Sequence, residues 1–172
     1  MKATLLLRRC RLAGESALVD IAITDGEITA IDPNLSITGL TELDLDGRLV
    51  SAPFVESHIH LDSAMTAGEP RWNESGTLFE GIDIWRDRKA TLTLEDVKAR
   101  AIKTLKQQAS YGVLFVRSHA DVSEASLTAL KGLLEVREAV KDWMTLQVVA
   151  FPQDGLYGSP KNEDLMEEAL KL

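Results

Sequence analysis

The sequence predicts an α/β fold: the N-terminal portion of a (β/α)8 barrel of the TIM type, preceded by a small antiparallel β-sandwich segment. Three observations lead there. Residues 3 to about 50 are rich in strand formers and punctuated by Asp-Gly pairs. From residue 53 onward, apolar runs of strand length alternate with amphipathic helical stretches, the pattern of parallel strands joined by crossover helices. His60, His119 and Gln153 each fall where a strand gives way to a loop, which is where β/α barrels keep their chemistry. The expected division is residues 1–52 for the sheet and 53–172 for the first three βα units of the barrel.

Ala3 to Leu7 opens the chain with a β-friendly run, and Leu18 to Ile23 alternates, with Val19, Ile21 and Ile23 on one face. Asp25-Gly26 between that run and Glu27 to Ile31 is a two-residue hairpin signal. Pro33-Asn34 breaks the pattern, and Leu43 to Val50 resumes it around Asp46-Gly47. Both glycines read as turn residues that need positive φ, with no phosphate role.

Leu49 to Asp62 is the next strand and the stretch on which the chemistry centres. A broken, polar loop follows from Gly68 to Gly76. Leu78, Ile82 and Trp85 at i, i+4 and i+7 predict a helix over 77–89. Thr93 followed by Asp96 resembles a capping box for a second helix, which buries Val97, Ala101 and Leu105 and stops at Gly112. Val113 to Val116 is a continuous apolar run suited to a strand buried on both faces. Ser123 is the candidate cap for a third helix, with Leu127, Leu130 and Leu134 inward. Thr145 to Phe151 is another buried strand, and Asn162 to Leu172 begins a further helix. A complete barrel takes ~250 residues and eight strands, of which this chain supplies about three. The sequence reaches Leu172 inside a helical pattern without a Gly or Pro stop signal, so it is expected to be the N-terminal portion of a larger enzyme.

Composition excludes several functions. The chain has 172 residues, 45% hydrophobic and 27% charged, as a soluble globular protein does. Lys and Arg number 19 against 27 Asp and Glu, a formal charge of -8. Nucleic-acid binding relies on clustered cations, so it is not expected. Cys10 stands alone, so an intrachain disulfide is impossible and a reducing compartment fits. Burial as a small apolar residue is its simplest role. Arg8 and Arg9 cut the opening apolar run short of a secretory signal. No stretch approaches the ~20 apolar residues of a membrane span. The expected location is the cytoplasm.

His58 and His60 carry the first chemical hypothesis. In a strand, alternate side chains share a face and advance about 3.3 Å per residue, so these imidazoles would sit roughly 6.6 Å apart on one side. Such a pair can lean onto one metal ion, although many His-x-His pairs are only surface or core residues. Asp62 could orient His60, and Arg117 could pair with Asp121 by spacing. Gln153 offers one acceptor and two donors, which suits a loop backbone first and, as the alternative, the mixed edge of a heterocycle. His119 can be read as a pocket residue or as a satisfied structural histidine.

Phe54-Val55-Glu56-Ser57-His58-Ile59-His60-Leu61-Asp62 resembles the first metal-binding strand of the amidohydrolase superfamily. Trp72 to Gly81, Val116 to Val122 and Val148 to Gly155 are similar to its cytosine deaminase branch, and the similarity runs along the whole chain. The resemblance implies a metal-dependent hydrolase that turns cytosine, or a closely related amino-substituted nucleobase, into the keto product and ammonia. It implies one divalent metal ion, iron or zinc, with His58 and His60 as two of its ligands. It also implies Gln153 as a base-binding residue and Leu78 as a residue whose backbone carbonyl meets the substrate. An inward-packing helix position would explain Leu78 equally well. The remaining ligands and the general acid/base of the family lie beyond Leu172, so no catalytic residue is assigned within these residues. The complete enzyme is expected to be a homo-oligomer acting on a small nucleobase, with no nucleic-acid or membrane partner, and the isolated 172 residues are expected to be inactive.

Two rivals stand beside this reading. Isoguanine or an aminotriazine could be the ring, since ring choice depends on pocket residues outside the chain. A non-catalytic fragment or subunit that completes its sheet with another chain is the rival from a different class. Walker loops, Gly-x-Ser-x-Gly elbows and the paired-cysteine signature of the unrelated zinc deaminases are absent from the sequence.

Overall fold

In the computed structural model, which describes residues 2–172, the chain divides between Ala52 and Pro53 into two units. The first holds β1 (Lys2–Leu12), β2 (Leu18–Thr24), β3 (Glu27–Asp32), β4 (Thr38–Asp44) and β5 (Leu49–Val50). Asp25 and Gly26 have φ of 51° and 84°, the positive values that a two-residue hairpin turn demands, and they join β2 to β3 in antiparallel register. Cys10 is fully buried, in keeping with its small apolar character.

The expectation of an antiparallel sheet is corrected here. The strand order is β3-β2-β1-β4, and both β4 and β5 run parallel to β1. Asp46-Gly47 is therefore not a hairpin. It is a kink between two segments that both pair with β1, placed where Arg9 of β1 itself takes a φ of 52°. Leu45 N–H donates to the Arg8 carbonyl and Gly47 N–H to the Arg9 carbonyl, so the pairing is carried across the irregularity. The crossover from β3 to β4 is held by the Arg8 guanidinium, which donates to Asp20 at 2.7 Å and to the carbonyls of Leu35 and Ile37 at 2.8 Å each.

The second unit alternates as expected: β6 (Phe54–Ile59), α1 (Leu78–Lys89), α2 (Leu94–Ser110), β7 (Val113–Asp121), α3 (Thr128–Val140), β8 (Thr145–Phe151) and α4 (Pro160–Ala169). The strands form one parallel sheet in the order β6-β7-β8. Thr93 caps α2 by accepting from Asp96 N–H, and Gly112, with φ of 85°, ends its C-terminal turn. Val97, Ala101 and Leu105 of α2 meet Leu130, Leu133 and Val136 of α3 in the main core, beneath Val116, Ala120 and Leu146 of the sheet. Each such side chain contributes about 1.5–3 kcal/mol by leaving water.

Two local expectations fail. Leu114 and Phe115 are 37% and 44% exposed, so the start of β7 is not buried on both faces. The α2 and α3 helices cover one face only, and Phe54, Val55 and Phe115 remain exposed. Ser123 does not cap α3, which starts later behind Leu127 in a left-handed conformation with no side-chain cap. The Ser123 hydroxyl is engaged elsewhere, accepting from Asp154 N–H at 2.9 Å. No helix among the described residues is long and apolar enough to cross a membrane.

Candidate active site

β6 ends at Ile59, and His60 is the first residue of the loop that follows. The register with β7 shifts between Glu56 and Ile59, so regular alternation is interrupted just where the two histidines lie. Their imidazole centroids are 5.4 Å apart, with 47° between the ring planes. His119, from within β7, stacks on His58 at 3.9 Å and lies 5.7 Å from His60. Phe151, the last residue of β8, meets His60 and His119 edge-on. All three strands therefore contribute to one ring cluster at their C-terminal ends.

Burial, followed by the nearby His119 and His58, holds the His60 pKa below its ordinary value. Burial and then His58 and Arg117 do the same to His119. Both shifts favour the neutral imidazole, the state that lends a lone pair to a metal. The His119 Nδ1 atom is buried and has no hydrogen-bond partner among the described residues. No set of three His, Cys, Asp or Glu side chains among those residues is placed to hold an ion. A ring stacked face to face on His58 does not converge with it on a common point. The donor chemistry thus fits a pair, His58 and His60, short of the three protein ligands that a catalytic zinc usually has.

His60, Leu78 and Gln153 come together with Ser63, Gly81, Ile82, Trp85 and Phe151 around an open cavity of about 390 Å³. Leu78 is 74% exposed, so it is not an inward-packing helix residue. It stands in the first turn of α1, behind the Thr77 cap, whose hydroxyl accepts from Glu80 N–H. Gln153 follows β8 by two residues, its backbone N–H donating to the Phe151 carbonyl at 3.0 Å. His58 is beside His60 but does not line the cavity.

Two pairings inferred from spacing are not formed. Asp62 does not reach for His60; its carboxylate accepts from Asp121 N–H at 2.8 Å and Ser63 N–H at 2.9 Å, tying the end of β6 to the end of β7. Burial pushes its pKa up to about 6. Arg117 donates to Gln147 on the next strand instead of to Asp121. Asp121 is occupied by groups that sequence reasoning missed: Trp85 Nε1 at 2.9 Å, Lys89 Nζ at 3.2 Å and Ser123 N–H at 2.8 Å. A signal was present, since Trp85 and Lys89 are four residues apart on α1 and so share a face.

The profile of the family described as "Amidohydrolase family" matches residues 41–170. The chain belongs to the amidohydrolase family. Members of that family generally use a divalent metal. The chain is 31% identical to N-isopropylammelide isopropyl amidohydrolase of Pseudomonas sp. (strain ADP), over 98% of its own length and 43% of that protein's. It is similar to the structure of 5-methylcytosine deaminase from Klebsiella pneumoniae liganded with 5-fluorocytosine, with a TM-score of 0.91 and 44% identity over 96% of this chain and 41% of that one. The structure of N-isopropylammelide isopropylaminohydrolase from Burkholderia multivorans ATCC 17616 matches with a TM-score of 0.80 and 26% identity, over 98% of this chain and 43% of that one. This amidohydrolase chain thus spans about two fifths of the length of these relatives, the N-terminal part.

Proposed function

We propose that the whole protein hydrolyses the exocyclic amine of cytosine or a closely related amino-substituted nucleobase, consuming water and releasing ammonia. The observation that supports this is the convergence of His60, Leu78 and Gln153 on one cavity. His58 and His60 are proposed to hold the ion together with donors from the rest of the barrel. A divalent ion, iron or zinc, would supply there a bound water with its pKa lowered towards ~7. The Gln153 amide would answer both a donor and an acceptor on the ring edge. The Leu78 backbone carbonyl would accept from the ring, while Phe151, Ile82 and Trp85 wall it from water. Residues 1–172 alone would not release ammonia on this reading, because two imidazoles hold an ion weakly. A cytoplasmic homo-oligomer completes the proposal, to be checked by fractionation and light scattering.

A second reading, an aminotriazine ring, is favoured by the 31% identity to a protein named for N-isopropylammelide. The test is to incubate the whole, metal-loaded protein with cytosine, 5-methylcytosine, isoguanine and N-isopropylammelide and to measure amine release. Ammonia from the pyrimidines is expected. Isopropylamine alone would establish the second reading, and ammonia from isoguanine alone would move the substrate to the purines. No amine from any ring would refute the proposal.

A further inference from the structure

Lys89 closes α1 as a buried cation, 8% exposed. Its Nζ donates to Asp121 Oδ2 at 3.2 Å and to Asp154 Oδ2 at 2.8 Å. Asp121 is itself buried at the end of β7, and Trp85 donates to the same oxygen. Asp154 follows Gln153 directly in the loop after β8. It is held twice, by Ser123 Oγ at its backbone N–H and by Lys89 at its carboxylate. Gln153 therefore stands between the end of β8, two residues before it, and the pinned Asp154 directly after it. Its own side-chain amide makes no hydrogen bond to protein among the described residues, so what the fold fixes here is the position of the backbone from which it reaches the cavity.

Desolvating an ammonium costs several kcal/mol, and apolar packing often stabilises a fold as well as a buried ion pair does. Stability alone is thus a weak reason for a lysine here. What the ion pair provides that apolar packing would not is a fixed direction, from α1 across the end of β7 to the residue beside Gln153.

We infer that Lys89 is a positioning residue: by tethering the Asp154 carboxylate to Asp121, it sets where the Gln153 amide stands in the cavity. The inference rests on the proposed reading of Gln153 as the base-binding residue. Lys89 does not line the cavity and touches no substrate atom; Trp85, which shares the Asp121 oxygen with it, also lines the cavity, so the Gln153→Ala background is what separates an effect through Gln153 from one through Trp85.

The experiment is a double-mutant cycle on the whole, metal-loaded protein with cytosine as substrate, measuring KM, kcat and metal content. Lys89→Met keeps an unbranched stem of similar length up to the Cε position and removes the ammonium. It is expected to raise KM about fivefold, the loss of roughly one hydrogen bond to the substrate, with kcat and metal unchanged. In a Gln153→Ala background the same substitution is expected to change KM no further, and Lys89→Arg is expected to recover part of the loss. An unaltered KM in Lys89→Met, or effects that multiply in the double variant, would overturn the inference. Should Lys89→Met not fold, Asp154→Ala cuts the same tether from its more exposed side, with the same KM rise and the same silence without Gln153 expected; a normal KM there overturns the inference too. Failure of the underlying reading looks different: wild-type protein that leaves cytosine intact, or Gln153→Ala with a wild-type KM, would refute base binding by Gln153 and take the tether's role with it.

Discussion

Asp121→Ala tests whether the ends of the three strands are held by the buried polar cluster. The Asp121 carboxylate accepts from the Trp85 indole at 2.9 Å, the Lys89 ammonium at 3.2 Å and the Ser123 N–H at 2.8 Å. Its residue is 3% exposed, so water cannot easily replace it. Alanine leaves two neutral donors without an acceptor, each costing about 1–3 kcal/mol when buried. Lys89 keeps Asp154 and therefore loses only part of its compensation. The sum is about 3–5 kcal/mol, the size seen when one partner of a buried charged pair is removed. That is a large share of a stability of ~5–15 kcal/mol. Asp121→Asn retains an acceptor oxygen and should lose about half as much. Urea unfolding followed by tryptophan fluorescence reads the shift in midpoint, and amide exchange along α1 should rise because Trp85 and Lys89 anchor that helix. A loss under about 1 kcal/mol in Asp121→Ala would refute the reasoning, since it would mean that the donors find water at once.

Replacing His58 and His60 together with alanine in the whole protein should remove the bound metal and the activity at once; metal content measured by mass spectrometry and found unchanged would sink the assignment. Gln153→Leu should weaken cytosine binding by ~1–3 kcal/mol at constant metal content, because a polar ring edge is left unpaired, and an unaltered kcat/KM would make Gln153 a plain loop residue. The Glu80 carboxylate is held down to about 2, first by the Ser75 hydroxyl and then by the Ser75 backbone N–H, with Arg71 beside it. Its folded pKa lies below the unfolded value of ~4.3, so its contribution is complete above that value and drains only as the pH falls towards 2. A carboxyl-detected NMR titration should show no Glu80 step near ~4.3, whereas Ser75→Ala should bring one back towards it; a step near ~4.3 in the wild type contradicts the geometry.

Much of this molecule was legible because its signals are local. Thr93 with Asp96, the spacing of Val97, Ala101 and Leu105, and Asp25-Gly26 each act within one turn or one hairpin. Helix capping, helical burial and turn chirality are decided at that range, and α2 and the β2–β3 hairpin follow. The His-x-His strand end, Leu78 and the Pro-Gln step are named by the family resemblance, and His60, Leu78 and Gln153 line one cavity. Asp46-Gly47 carries the same local signal as Asp25-Gly26 and yet does not make a hairpin. The difference is the partner strand: β4 and β5 both find β1, which no two-residue pattern encodes.

What the sequence by itself determined was the element order, the core face of α2 and the residue types available for chemistry at the strand ends. The tertiary structure alone decided who meets whom. Asp62 is two residues from His60 yet bonds Asp121, 59 positions away, and Lys89 reaches Asp154 across 65. Arg117, four residues before Asp121, turns to Gln147. Side chains four apart in a strand stand roughly 13 Å apart along it, farther than an ion pair reaches, whereas adjacent strands lie about 4.8 Å apart. Contacts at a parallel sheet's end therefore run across strands, and the residues that shape a cavity there are neighbours only after the chain has folded.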